Sequence, residues 1–205
     1  MPALDAEALT QWTADLDAGV ARLTFRRLSI PIALKVWVAA NLIVGFHTAA
    51  LAAANAVFCL LRRPDALARV RGYPSLVAAA VFEGLRLAPP IILTERYALE
   101  DFVHEGVLVP QGTPIIFWIA GNRDPKAFAQ PARLDLDRRQ PGDATFGGGA
   151  HLCPGKNVAR TFAEVVLGGV TAPNIAIELV DHDYEWIPRS SMRQLGALPV
   201  RIRRL

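Results

Sequence analysis

The 205-residue sequence predicts a mainly α protein with small β-sheets. Three observations lead there. Residues Val36–Leu61 form a run of 26 without Asp, Glu, Lys or Arg, enough for one helix of about 39 Å at 1.5 Å per residue. Apolar residues recur at helical spacing on both sides of that run. Only brief stretches have strand character, and each is bounded by Pro or Gly.

Leu9, Trp12, Leu16, Val20 and Leu23 predict an amphipathic first helix, which Ser29-Ile30-Pro31 ends. The apolar helix then runs to about Leu61, where Arg62-Arg63-Pro64 stops it. A short helix over Asp65–Arg71 ends at Gly72. Pro74-Ser75 opens another over Leu76–Leu87, closed by Pro89-Pro90. Ile91–Tyr97 and Thr113–Trp118 read as strands, with Pro110-Gln111-Gly112 turning between them. From Gly121 to Asp143, Pro, Asp and Arg occur without periodicity, so an ordered irregular stretch is expected. A glycine-rich loop around Cys153 comes next, and Lys156 to Leu167 reads as the helix after it. The tail, Ile175–Leu205, alternates into short strands around turns at Pro188 and Pro199. No repeat or low-complexity tract interrupts the order, and residues 1–205 read as a single domain.

Charged residues make up 20% of the chain and hydrophobic ones 52%, with a mean hydropathy of +0.27. The net charge is +3 and no basic run is interleaved with aromatics, which excludes nucleic acid as the expected partner. Cys59 and Cys153 are too few for a disulfide scaffold, and their spacing does not make a metal or redox pair. The first residues lack the basic and apolar regions of a signal peptide, so a reducing, cytoplasmic setting is expected. The uncharged run is long enough to cross a bilayer. Asn41, His47, Thr48 and Asn55 within it would face lipid at a cost. A long helix buried in a globular fold accounts for them better, with a membrane anchor as the alternative.

The chemistry concentrates in Phe146-Gly147-Gly148-Gly149-Ala150-His151-Leu152-Cys153-Pro154-Gly155. Three successive glycines let the backbone turn tightly and approach a flat ligand. A cysteine at the mouth of a helix lies beside unpaired N–H groups and the positive end of the dipole, where an anion is favoured. Thiolate sulfur suits a soft metal, and haem iron is held this way in some oxygenases. The other readings of this loop are a plain Gly-rich turn and a buried free thiol.

The spacing Phe146, Gly149, Cys153, Gly155 resembles the haem-ligand signature of the cytochrome P450 family. Glu83 and Arg86 match its E-x-x-R pair, and Phe128, Pro131, Leu134, Asp135 and Arg138 match its following segment, with Leu134 where Phe is usual. Gly121-Asn122-Arg123-Asp124-Pro125 is similar to the bacterial branch. The resemblance covers about Asn41 to Leu205, roughly the carboxyl half of a member, so the expected architecture is a truncated P450 domain: a central long helix, the E-x-x-R helix, the cysteine loop and the helix after it.

The resemblance implies haem b with Cys153 as axial thiolate to the iron. It places Phe146, Gly147 and Gly155 around the haem, and His151 and Arg96 on the propionates. It makes Glu83, Arg86 and Arg138 a scaffold that locks the segment before the cysteine. It places Thr48 at the proton-handling position of the oxygen-binding helix, with His47 where an acid is usual; imidazole can also carry protons. The implied activity is a monooxygenase inserting one atom of O2 into a small hydrophobic substrate, with electrons from a ferredoxin or flavin reductase. A non-catalytic haem-binding remnant, or one part of a split enzyme, is the alternative. An open haem edge would expose apolar surface, which implies an oligomer or a missing partner segment. Lys126, Arg138, Arg139, Lys156 and Arg160 form either a docking face for an acidic electron donor or a solvated basic face.

Overall fold

The computed structural model describes residues 32–139, 144–180 and 184–205, and the expected first helix over Leu9–Leu23 lies outside the described residues. Among the described residues, four α-helices follow in order: α1 (Ile32–Leu61), α2 (Pro64–Gly72), α3 (Val77–Leu87) and α4 (Lys156–Val170). The strands are β1 (Leu93–Tyr97), β2 (Phe102–His104), β3 (Val107–Val109), β4 (Pro114–Trp118), β5 (Ile175–Leu179), β6 (Trp186–Ile187), β7 (Gln194–Leu195) and β8 (Val200–Arg204). Short 3-10 turns precede α3 at Pro74–Leu76, follow β4 at Ile119–Arg123 and sit in the cysteine loop at Gly149–His151.

The chain divides into two compact units, Met1–His47 and Thr48–Leu205. In the first, the described residues are helical, and Leu42, Val44 and Phe46 are exposed. In the second, the carboxyl half of α1 is apolar on every face and correspondingly buried, with Leu51, Ala52, Ala53, Ala56, Val57, Leu60 and Leu61 in the core. The core joins them to Val70 of α2, Ala80, Val81 and Leu85 of α3, Ala163 and Leu167 of α4, Ile177 of β5, and Leu134 and Leu136. Val44–Leu61 has the length and apolarity of a membrane span, and half of that window is buried inside the protein.

Asn55 explains one of the polar residues in this apolar helix. It is fully buried, and its Nδ2 donates to Ala88 O at 2.9 Å and Arg193 O at 3.1 Å. A core amide with two carbonyl partners ties α1 to the end of α3 and to the chain before β7.

Among the described residues, the β part consists of four two-stranded antiparallel sheets, β1–β4, β2–β3, β5–β8 and β6–β7. The two expected strands do pair, from Leu93 opposite Trp118 to Tyr97 opposite Pro114. More than a turn separates them, however: the β2–β3 hairpin intervenes. Its bend is Glu105-Gly106, both at positive φ (48° and 83°), the backbone that a two-residue hairpin turn requires. Its strands are three residues long and almost wholly exposed, so no alternation marks them. Helix α4 runs past Leu167 to Val170, and Thr171 Oγ1 returns to Leu167 O at 2.8 Å to satisfy a terminal carbonyl.

Helix α3 approaches α1 at Gly84. A Cβ there would stand 2.7 Å from Ala56 Cα, closer than any packing tolerates, so the two backbones meet through the missing side chain. Gly84→Ala is expected to lower unfolding stability by about 1–3 kcal/mol through overpacking, measured by urea denaturation. Gly72→Ala, which meets nothing within 4 Å, should change it far less; equal effects would contradict the close approach.

Candidate functional site

Glu83 is 1% exposed and Arg86 is fully buried, three residues apart on one face of α3. Arg86 Nε and Nη2 donate to the two Glu83 oxygens at 2.6 and 2.9 Å, a bidentate charge-assisted pair. The remaining guanidinium donors reach the carbonyls of Asn122 (2.8 Å), Pro131 (2.7 Å) and Arg133 (2.9 Å). Phe128 covers the guanidinium, its ring centroid 5.2 Å away. Arg138 Nε also donates to Glu83, at 2.9 Å, and the Asp135 N–H donates at 2.8 Å. Glu83, Arg86 and Arg138 therefore meet, although 55 positions separate the first from the last. The segment from Asn122 to Arg138 has no regular structure after its opening turn and is shaped instead by carbonyls directed at two arginines.

Asn122 carries this order towards the cysteine. It is 1% exposed. Its backbone carbonyl receives Arg86, its Oδ1 accepts the Ala144 N–H at 2.7 Å, and its Nδ2 donates to Thr145 Oγ1 at 2.9 Å. The next residue is Phe146, which packs on the core and whose carbonyl accepts the Cys153 N–H at 2.9 Å. That bond closes the glycine-rich loop.

Within the loop, Gly147 and Gly149 take φ of 70° and 59°, and a Cβ on Gly147 would lie 3.3 Å from His151 O. Glycine is required at those two positions. Cys153 is half-buried and unpaired with Cys59, two residues before Gly155, the N-cap of α4. No side chain caps that helix, so its first-turn N–H groups and dipole favour negative charge beside the sulfur. A Cβ on Gly155 would come within 3.9 Å of Cys153 Sγ. Lys156 Nζ sits over the Phe146 ring at 5.9 Å.

The donor chemistry fits a prosthetic group. Among the described residues no cluster of three or more His, Cys, Asp or Glu could hold a bare metal ion. A lone soft sulfur following three successive glycines would instead suit an iron that brings its other ligands with it. His151 is exposed, in the 3-10 turn of the loop. Arg96 lies on β1, with its Nη1 on the Glu95 carbonyl at 2.7 Å. His47 is exposed and Thr48 half-buried, at adjacent positions of α1.

Of the basic residues grouped around the cysteine, Arg138 does not join a solvated face. Its side chain is 4% exposed and engaged with Glu83 and the carbonyls of Ala129, Gln130 and Arg133. Arg160 lies 3.9 Å from Glu164 on the same helix. Asn122 and Thr145 are the site residues that sequence reasoning passed over. The Gly121–Pro125 motif was visible, but nothing in it says that the Asn side chain grips the chain 22 residues later.

Glu83→Ala would strand two arginines in the core and is expected to cost about 3–5 kcal/mol of stability. Soluble yield and urea unfolding measure it. A mutant as stable as the parent would show that the pair contributes nothing at this buried position.

Comparison with known proteins agrees with this geometry. The cytochrome P450 family model matches residues 75–170, the span from the opening of α3 to the end of α4. The chain is 34% identical over 159 residues to the biotin biosynthesis cytochrome P450 of Bacillus subtilis, covering 77% of this chain and 40% of that protein. It is 35% identical over 164 residues to the 6-deoxyerythronolide B hydroxylase of Saccharopolyspora erythraea, covering 78% and 41%. Among solved structures, the tirandamycin C-bound P450 monooxygenase TamI superposes with a TM-score of 0.77 at 31% identity, over 98% of this chain and 49% of its own. The chain thus spans about two fifths of the length of the curated relatives it matches. With the E-x-x-R pair, the cysteine loop and the helices that hold them all matched, the chain belongs to the cytochrome P450 family.

Proposed function

We propose that this chain is the haem-binding part of a haem-thiolate monooxygenase that inserts one atom of O2 into a small hydrophobic organic substrate. The observation that supports it best is the cysteine loop, closed by the Cys153–Phe146 backbone bond and tied through Asn122 to the buried Glu83–Arg86 pair. Bound haem b would supply the redox chemistry of dioxygen. Cys153 would ligate its iron through sulfur, beside the open end of α4. The left-handed turns at Gly147 and Gly149 would let the backbone lie against the macrocycle, with Phe146 and Gly155 completing the cradle. His151 and Arg96 would pair with the propionates by charge-assisted hydrogen bonds. Thr48 would deliver protons at its hydroxyl, with the His47 imidazole beside it in sequence as proton source. The setting proposed is cytoplasmic, with electrons from NAD(P)H through a ferredoxin or flavin reductase. Lys126, Arg139 and Lys156 would attract such an acidic partner.

A second reading is favoured by a specific observation. Val158, Phe162 and Val165 of α4 and Leu152 of the loop are all exposed, and such a patch expects to be covered. A haem-binding remnant, or one part of a split enzyme, would show this surface. Turnover with redox partners, set against haem binding alone, separates the two.

The reduced carbon monoxide difference spectrum tests the haem reading directly. Cys153→Ala is expected to abolish the thiolate-type carbonyl band while Cys59→Ser preserves it, because burial pushes the Cys59 thiol up to about 11 and leaves it a neutral core group. A thiolate-type band surviving in Cys153→Ala would overturn the assignment.

Thr48→Ala should keep the spectrum and divert reductant from product to peroxide. Peroxide yield per NAD(P)H consumed measures this in a turning-over parent. An unchanged ratio with a small stability change would mark a hydroxyl that only serves the helix backbone.

A further inference from the structure

Beyond the cysteine loop, one cavity has a composition that the haem reading leaves unexplained. It is about 270 Å³ in volume, beside the carboxyl end of α1, and four arginines line it: Arg62, Arg63, Arg123 and Arg193. Among the described residues, none of the four pairs with a carboxylate. Two are held in place by aromatic rings that pack edge to face, with Phe58 and Trp186 centroids 5.6 Å apart. Arg62 lies over Phe58 at 5.5 Å and Arg193 over Trp186 at 4.6 Å. Arg123 is held by a hydrogen bond from its Nη2 to the Leu87 carbonyl.

Four guanidinium groups around one cavity, three of them exposed to solvent and one half-buried, repel one another, and an arrangement of this kind is stabilised by an anion. The charge is felt within the protein. Burial, and then the nearby Arg123, hold the Arg193 guanidinium below its ordinary basicity. Cys59, also on the cavity wall, supplies no compensating charge, since burial outweighs the four arginines and keeps its thiol protonated.

We propose that this cavity is a binding site for a phosphate-class oxyanion, either the free ion or the head of a small phosphate monoester. Guanidinium groups present parallel N–H donors that match phosphate oxygens in bidentate fashion. The cavity is larger than one phosphate needs, and Phe58 and Trp186 offer an apolar wall for the organic part of an ester. Cys153 and the glycine-rich loop take no part, so the inference stands or falls independently of haem binding.

Isothermal titration of the full chain with inorganic phosphate and, in parallel, phenyl phosphate tests it, in chloride buffer of matched ionic strength. Saturable millimolar or tighter binding of at least one is expected. The double variant R62Q/R63Q should weaken it about tenfold or more, the loss of roughly one charge-assisted bond, while its melting temperature in chloride does not fall below that of the parent. Arg160→Gln, on α4 and away from the cavity lining, should bind as the parent does. If the double variant folds poorly, Arg63→Gln alone makes the same comparison, since this side chain is exposed. Tighter binding of phenyl phosphate would point to an ester and tighter binding of inorganic phosphate to the free ion, and either supports the site. No binding above chloride, an unchanged affinity in the arginine variants, or an equal loss in Arg160→Gln would overturn it.

Discussion

A single buried carboxylate organises the Thr48–Leu205 unit. Glu83 accepts from Arg86 twice, from Arg138 and from the Asp135 amide. Taking these charges out of water costs several kcal/mol per ion, and the cost is offset only when nearly every donor and acceptor finds a partner. Here they do. Arg86 places its remaining donors on three carbonyls and stacks on Phe128. Because those carbonyls belong to a stretch without regular structure, the network decides the path of residues 122–138.

The consequence for chemistry is positional. The Asn122 carbonyl is bound by Arg86 while its side chain holds Ala144 and Thr145, so the entrance to the loop is registered against α3. The loop then closes on itself through Phe146 and Cys153. Gly147 and Gly149 supply left-handed backbone that other residues would adopt only with strain. Helix α4 leaves directly from this closure and buries Ala163 and Leu167 in the same core as Leu85 of α3. The sulfur is thereby placed by packing on one side and by a polar chain on the other.

The outer surfaces are a different matter. Val158, Phe162 and Val165 recur along α4 at helical spacing and stay exposed, as do Ile116, Phe117 and Trp118 of β4. On α4 a buried face (Ala163, Leu167) and an exposed apolar face share one helix, a pattern expected of surfaces that another polypeptide or a ligand covers. The curated relatives are more than twice as long as the matched region.

The sequence by itself determined α1, α3 and α4, because apolar spacing over ten or more residues has few other solutions. It also made the turns of the cysteine loop legible, because Gly147 and Gly149 take a left-handed backbone that glycine adopts without strain. It marked Glu83, Arg86 and Arg138 through family spacing, though nothing local says that α3 is buried deeply enough to turn an i,i+3 pair from a surface ion pair into the centre of the unit. Tertiary structure decided that. It also decided the β2–β3 hairpin, whose exposed three-residue strands leave no period to read, and the removal of Arg138 from the basic face. The role of Asn122 and the gathering of Arg62, Arg63, Arg123 and Arg193 likewise depend on contacts between distant residues. Periodicity and turn chemistry act between near neighbours, whereas a buried charge or a cation-lined cavity exists only once remote segments have excluded water together.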